Sequence, residues 1–160
     1  MRLRIVLLCL LAAVALLAQP TTSYRLNFSF HELENGKRLS TRNYSMMLEP
    51  NTFVKLNVGS KVPVPSNAGP NAQYSYIDVG VNLRARIQEQ GSELRLNAEI
   101  EMSNLGADKD VQNRPLPQIR QIRADVDAIL APGRATPVVT LDDPAGPRQY
   151  EMEVTASRVK

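Results

Sequence analysis

Residues 59–83 read GSKVPVPSNAGPNAQYSYIDVGVNL, and they carry the clearest structural pattern in the chain. Its first half, residues 59–72, is rich in glycine and proline, which predicts a loop. Its second half alternates apolar and polar side chains, with one side formed by Ile77, Val79, Val81 and Leu83. A period of two is typical of a β-strand with one buried face. The stretch therefore predicts a β-rich chain, and no catalytic or cofactor motif accompanies it.

The same alternation recurs on both sides of this stretch. Asn35-Gly36 is the favoured pair for a two-residue hairpin turn, and it separates two alternating runs. Residues 117–130 could also be read as a helix, but their alternation favours a strand. The segments that we predict as strands are residues 24–33, 38–48, 52–58, 73–90, 93–103, 117–130, 135–141 and 149–158. About eight strands joined by turns predict an all-β fold, either an antiparallel β-sandwich or a partly open barrel.

The first residues have the features of an export signal. Arg2 and Arg4 precede an uninterrupted apolar run over residues 5–18, which is short for a transmembrane helix and ends in small residues. We predict a signal peptide over residues 1–18 and a single domain over residues 19–160. An uncleaved, membrane-anchored form is the alternative. The predicted location is the periplasm or the outer membrane.

Removal of the signal peptide changes the composition. Cys9 is the only cysteine, so the mature chain would have no thiol for a disulfide or a thiolate metal site. Arg2 and Arg4 leave too, which lowers Lys+Arg from 19 to 17 against 16 acidic residues. A nearly balanced charge does not indicate a nucleic-acid partner.

The residues that could support chemistry are few and scattered. His31 is the only histidine, and it falls on the polar side of the first strand, where we expect it to face solvent. The acidic pairs Asp125/Asp127 and Asp142/Asp143 lack the spacing of a calcium-binding loop. We therefore predict no enzyme, no catalytic residues, no metal ligands and no cofactor.

The polar sides of the long strands suggest two roles. Arg84, Arg86 and Arg95 are interleaved with Glu99 and other acids, which favours cross-strand ion pairs over an anion-binding stripe. Tyr74 and Tyr76 stand opposite the apolar side of their strand. Aromatic side chains that project from a sheet often contact a partner, so this pair is a candidate for a contact surface.

The order of motifs resembles the C-terminal β-domain of bacterial secretins, the outer-membrane channels of type II and type III secretion and type IV pilus systems. Residues 59–64, GSKVPV, look like the family's G-x-x-V-P-V loop, and residues 73–83, QYSYIDVGVNL, look like its Y-x-D-V-G-V-x-L strand. Pro117-Gln118-Ile119-Arg120 looks like a later P-x-I-x-x-R segment, and Pro132-Gly133 stands at the family's Asp-Gly turn. In secretins the G-x-x-V-P-V loop begins the hairpin of the central gate.

The resemblance implies an exported module with a structural or protein-interaction role in envelope, secretion or pilus assembly. Secretins carry ring-building domains ahead of this region, whereas little chain precedes it here, so we expect a small secretin-like domain rather than a self-sufficient channel. Two alternatives stay open: an oligomeric outer-membrane pore component and a carrier of a small apolar ligand. We expect a protein partner in the envelope, no nucleic acid and at most peripheral membrane contact. The residues expected to contact the partner are Lys61, Val62, Pro63, Val64, Tyr74 and Tyr76.

Overall fold

The computed structural model describes residues 22–65, 73–105, 109–110, 115–116, 118–144 and 146–159. The predicted signal peptide, with Cys9, and residues 66–72 of the predicted loop lie outside these ranges. The strands are β1 (Ser23–Glu34), β2 (Lys37–Leu48), β3 (Val54–Pro65), β4 (Tyr74–Gln90), β5 (Glu93–Leu105), β6 (Lys109–Asp110), β7 (Pro115–Leu116), β8 (Ile119–Leu130), β9 (Thr136–Asp142) and β10 (Arg148–Val159).

Eight of these strands form two four-stranded antiparallel sheets. The first sheet has the order β2-β1-β10-β9, and the second has the order β3-β4-β5-β8. The short strands β6 and β7 pair only with each other. Neither sheet closes on itself in the described residues, so of the two predicted architectures the structure has the β-sandwich. The prediction of an all-β fold is confirmed. In those same ranges, no helix is long and apolar enough to cross a membrane.

Local sequence explains the hairpins. Asn35 and Gly36 have φ angles of 52° and 75°, the positive values that a two-residue turn needs, and they join β1 to β2 as predicted. The β4–β5 hairpin turns at Gly91, again with a positive φ of 63°. Residues 119–130 form strand β8, which confirms that alternation outweighs any helical tendency there.

The core lies between the two sheets and follows the alternation of the sequence. The inward side chains of β1 and β10 meet those of β4, β5 and β8. The largest fully buried side chains are Phe28, Leu26, Leu83, Ile87, Leu94, Leu96, Ile100, Leu130 and Val154. Burial of apolar surface is the main favourable contribution to folding, so this layer holds the sheets together.

Strand β3 is longer than the sequence predicts, and this corrects the predicted loop at residues 59–72. Residues 59–65 continue β3 and pair with β4 from Gly59–Gly80 to Pro65–Tyr74. The prolines are tolerated because β3 is an edge strand with one neighbour, so a proline nitrogen that lacks a hydrogen can face away from the sheet. Pro63 and Pro65 are two residues apart, which places both nitrogens on the same side of the strand.

Tyr24 links the two sheets at one end of the core, and this contact predicts a pH dependence. Its hydroxyl donates a 2.5 Å hydrogen bond to Glu89 Oε1. Burial of the phenol is the main cause that raises the pKa of Tyr24, and this hydrogen bond is the second. The unfolded chain loses its phenolic proton first, near pH 10, so stability falls as the pH rises from there through the folded pKa. We expect urea unfolding of the Tyr24→Phe variant to show a weaker decline between pH 9 and 11. Equal declines in both proteins would contradict this assignment.

Candidate functional site

The strands β3 and β4 continue past the rest of their sheet as a two-stranded hairpin. Pairing of β4 with β5 begins at Val81–Met102, whereas pairing of β4 with β3 runs on to Tyr74. Residues 74–80 of β4 therefore pair only with residues 59–65 of β3 and have no strand partner on their β5 side. We call these two segments the distal hairpin.

Two glycines stand side by side where the distal hairpin begins. Gly59 and Gly80 are cross-strand partners, and Gly80 has a φ of 156°. A Cβ atom on Gly80 would lie 2.1 Å from the carbonyl oxygen of Val58 and 2.5 Å from the Cα of Gly59. Such contacts are far inside van der Waals range, so the approach of the strands depends on the missing side chains.

Ser103 connects the start of the distal hairpin to β5. Its hydroxyl oxygen accepts a 3.0 Å hydrogen bond from the Gly80 N–H, at the position where β4 stops pairing with β5. This bond satisfies a backbone donor that would otherwise lose its partner. The sequence analysis did not single out Ser103, because no local pattern indicates this hydrogen bond between strands.

The two faces of the distal hairpin differ. Tyr74 and Tyr76 are 59% and 67% exposed and lie on one face, with Pro63 directly across from Tyr76. Lys61 and Asp78 continue that face as an exposed ion pair with a 3.7 Å separation.

The opposite face is aliphatic. Val62 lies across from Ile77, and Val64 lies across from Ser75. Ile77 is 39% exposed although its alternation predicted burial, because the first sheet does not extend over the distal hairpin. The alternation correctly predicts the side on which Ile77 lies but not where the covering sheet ends. Val81, at 4% exposure, is the first buried member of that side.

All six residues that the sequence analysis selected for a partner contact lie on the distal hairpin. Pairing of β3 with β4 brings residues 61–64 next to Tyr74 and Tyr76, although about ten residues separate them in the chain. The structure therefore joins two sequence motifs into one projecting surface with an aromatic face and an aliphatic face.

His31 is buried, which corrects the expectation that it faces solvent. Its side chain is 4% exposed, with Nδ1 2.9 Å from Thr41 Oγ1 and Nε2 3.3 Å from Glu153 Oε2. Catalytic triads also place a hydroxyl, an imidazole and a carboxylate in line. In a triad, however, the hydroxyl lies next to hydrogen-bond donors that stabilise an oxyanion. Thr41 instead sits inside β2 as the cross-strand partner of His31. These contacts tie three adjacent strands together.

The charged residues on the sheets pair with one another. Arg84 contacts Glu99 at 2.7 Å, as the predicted cross-strand pairing requires. Two hydrogen bonds from Arg95 hold the pKa of the Asp127 carboxyl below its ordinary value. Asp143 accepts a 2.9 Å bond from Arg120. Within the described ranges, no group of three potential metal ligands comes together.

Phe53 was not singled out by the sequence analysis, yet it organises two of these arginines. The guanidinium groups of Arg84 and Arg86 lie 4.1 and 4.7 Å from the centre of its ring. Such cation–π contacts hold long side chains against the sheet. The arginines of β4 are therefore used within the molecule, which argues against a free basic stripe.

Comparison with known proteins places this architecture among secretin domains. No protein-family model and no curated protein matches the sequence. The chain is similar to the secretin domain β-barrel of InvG from a Salmonella injectisome, with a TM-score of 0.60 and 8% identity over 93% of this chain and 66% of that chain.

Two further solved structures support the same fold. A chain of the Klebsiella pneumoniae type II secretion system outer membrane complex, which contains PulD, PulS and the PulC HR domain, gives a TM-score of 0.67 at 11% identity over 97% of this chain and 43% of that chain. XcpQ, the type II secretin of Pseudomonas aeruginosa, gives 0.59 at 15% identity over 96% of this chain and 63% of that chain. The predicted secretin-like fold is confirmed, and the chain spans less than two thirds of these solved chains.

Proposed function

We propose that residues 19–160 form a non-enzymatic, exported β-sandwich module that binds an envelope protein through the distal hairpin, after removal of residues 1–18 as a signal peptide. The observation that carries the proposal is the hairpin itself. It projects beyond the four-stranded sheet and exposes tyrosines on one face and aliphatic side chains on the other. The secretin-like fold supports a place in envelope or secretion assembly, and the module needs no cofactor for this role.

The exposed tyrosines of the distal hairpin support a binding role. Large apolar side chains that cluster on a surface mark interaction sites more often than chance. Tyr74 and Tyr76 are the two most exposed large apolar side chains described, and they lie on the same face of the distal hairpin. Tyrosine is also enriched among the residues that dominate binding energy at interfaces.

The distal hairpin is organised before it meets a partner. Its strands are paired in a continuous register, and Pro63 restricts the backbone further. A rigid surface loses less conformational entropy on binding, so more of the contact energy is retained as affinity.

The solved secretin-fold structures support a protein as the partner. The Klebsiella pneumoniae structure is an outer membrane complex in which PulD occurs with PulS and the PulC HR domain. A module with this fold is therefore compatible with assembly among other envelope proteins, and we propose the same class of partner here.

A double variant tests the proposal. We expect Val62→Asp combined with Tyr76→Ala to remain folded, because both side chains lie on the distal hairpin outside the core, and to lose the partner in co-purification from solubilised envelopes. The matched control combines Leu39→Asp with Met47→Ala, which are 48% and 52% exposed on β2 and should keep the partner. Undiminished recovery with the hairpin variant would overturn the proposal, as would equal loss with the control.

An oligomeric pore component is the second candidate, and one observation favours it. The strands β3 and β8 are the edges of their sheet, and each has a single neighbour within the described residues. Open edges can pair with another chain. A pore component should sediment with outer membranes and resist extraction by high salt, whereas the proposed module should appear in the periplasmic fraction or be released by salt.

A further inference from the structure

The two sheets separate at the end of the sandwich where the distal hairpin leaves β5. A narrow slot of about 40 Å³ lies between them there. It adjoins a wider mouth of about 240 Å³, and Met102, Ile122 and Leu141 line both spaces. At the other end of the core, Ile87, Leu94 and Leu130 are fully buried and the sheets are packed together.

The inner wall of this cleft is apolar and comes from both sheets. Phe30 and Met152 belong to the first sheet, and Ile100 belongs to the second; they are 6%, 5% and 2% exposed. Met102 and Ile122 extend this wall outward and are only partly buried. The wall is therefore suited to a hydrocarbon chain, which gains free energy by leaving water.

The acidic groups around the cleft are already paired. Glu32 lies 2.6 Å from Arg148 Nη1 and accepts a 3.2 Å hydrogen bond from Ser40. Glu151 lies 4.0 Å from Arg38. In the mouth, Asp143 is bonded to Arg120.

Among the described residues, Arg42 is the one charged side chain at the cleft that is not paired. It is the cross-strand partner of Phe30, so it lies on the side of β2 that faces the cleft, and it lines the slot. Arg42 is exposed, and within the described part of the chain it has no ion pair or hydrogen-bonded side-chain partner. The edge of the cleft thus carries one unmatched charge, and that charge is positive.

We propose that the cleft binds a single-chain fatty acid, with its carboxylate at Arg42 and its hydrocarbon chain along Met102, Ile122 and Leu141. Pockets for small organic ligands commonly measure about 300 to 1,000 Å³. The slot and mouth together fall just below that range, which suits one slender chain. Guanidinium groups form charge-assisted hydrogen bonds with carboxylates, so Arg42 can bind the carboxylate while the apolar wall contacts the hydrocarbon chain.

Calorimetric titration with sodium dodecanoate, below its micelle concentration, tests this site. We expect saturable binding of one dodecanoate per chain and about tenfold weaker binding to Arg42→Gln, since a hydrogen bond to a charged group contributes on this order. Dodecyltrimethylammonium has the same chain with the opposite charge and should bind more weakly than dodecanoate. Arg25→Gln, an equal change of charge on an exposed residue of β1, should leave the affinity unchanged.

Two outcomes would overturn the assignment. One is equal affinity for dodecanoate and dodecyltrimethylammonium, or an unchanged affinity in Arg42→Gln, because either would remove the role of the cation. The other is loss of dodecanoate binding in Ile77→Ser, which would place the ligand on the exposed distal hairpin instead of in the cleft. The site does not depend on the proposed protein partner, so each proposal can fail without the other.

Discussion

Gly80→Ala should lower the free energy of unfolding by about 2 to 3 kcal/mol and detach the distal hairpin from its regular pairing. The added methyl group would meet backbone atoms of Val58 and Gly59 at 2.1 and 2.5 Å. Backbone cannot rotate away as a flexible side chain can, so the two strands must move apart. The hydrogen bond from the Gly80 N–H to Ser103 would be distorted by the same movement.

Gly91→Ala is the matched control for this prediction. Gly91 also has a positive φ, 63°, but nothing lies within 4 Å of the position of an added Cβ. The control therefore measures the conformational cost alone, about 1 kcal/mol. Amide hydrogen exchange should become faster at residues 60–64 and 75–79 in Gly80→Ala and stay slow in the core. Equal destabilisation by the two substitutions would show that the close approach at Gly59 and Gly80 is not important.

Phe28→Ala should have the largest effect on the fold, about 3 to 5 kcal/mol. Phe28 has no exposed surface and is the largest fully buried side chain in the described core. Its removal loses apolar contacts and leaves a cavity between rigid sheets that cannot collapse freely. Because domains of this size are typically stable by about 5 to 15 kcal/mol, a substantial fraction of the variant could be unfolded.

Phe53→Ala provides the comparison, since it removes the same side chain at a 42% exposed position. We expect a loss of about 1 kcal/mol or less, from the contacts of Phe53 with Arg84 and Arg86. Chemical denaturation followed by far-ultraviolet circular dichroism measures both variants. Similar losses at Phe28 and Phe53 would contradict the burial assigned to the core.

The positions of the strands could be predicted from the sequence because apolar side chains that face the core alternate with polar ones along each strand. That rule identifies β5 and β8, whose inward side chains are buried as predicted. It fails at Pro63 and Pro65, because composition alone does not reveal that β3 is an edge strand. It also fails at His31, which lies on the polar side but is enclosed by hydrogen-bonded neighbours from β2 and β10.

The candidate site was only partly accessible to sequence reasoning. Residues 61–64 and the tyrosines could be selected individually, but their contact depends on the register between β3 and β4. The cleft depends on the point at which two sheets diverge, and the unmatched charge of Arg42 depends on which nearby acids are already paired. These are consequences of tertiary packing that no local pattern encodes.

Photo-crosslinking in living cells can identify what the distal hairpin contacts. A p-benzoylphenylalanine group at position 76, in place of Tyr76, should give one discrete adduct with a second envelope protein. The same group in place of Met47, which is 52% exposed on β2, should give none. An absence of adducts at position 76, the same adduct from both positions, or an adduct that contains only a second copy of this chain would contradict the claim that the distal hairpin binds another envelope protein.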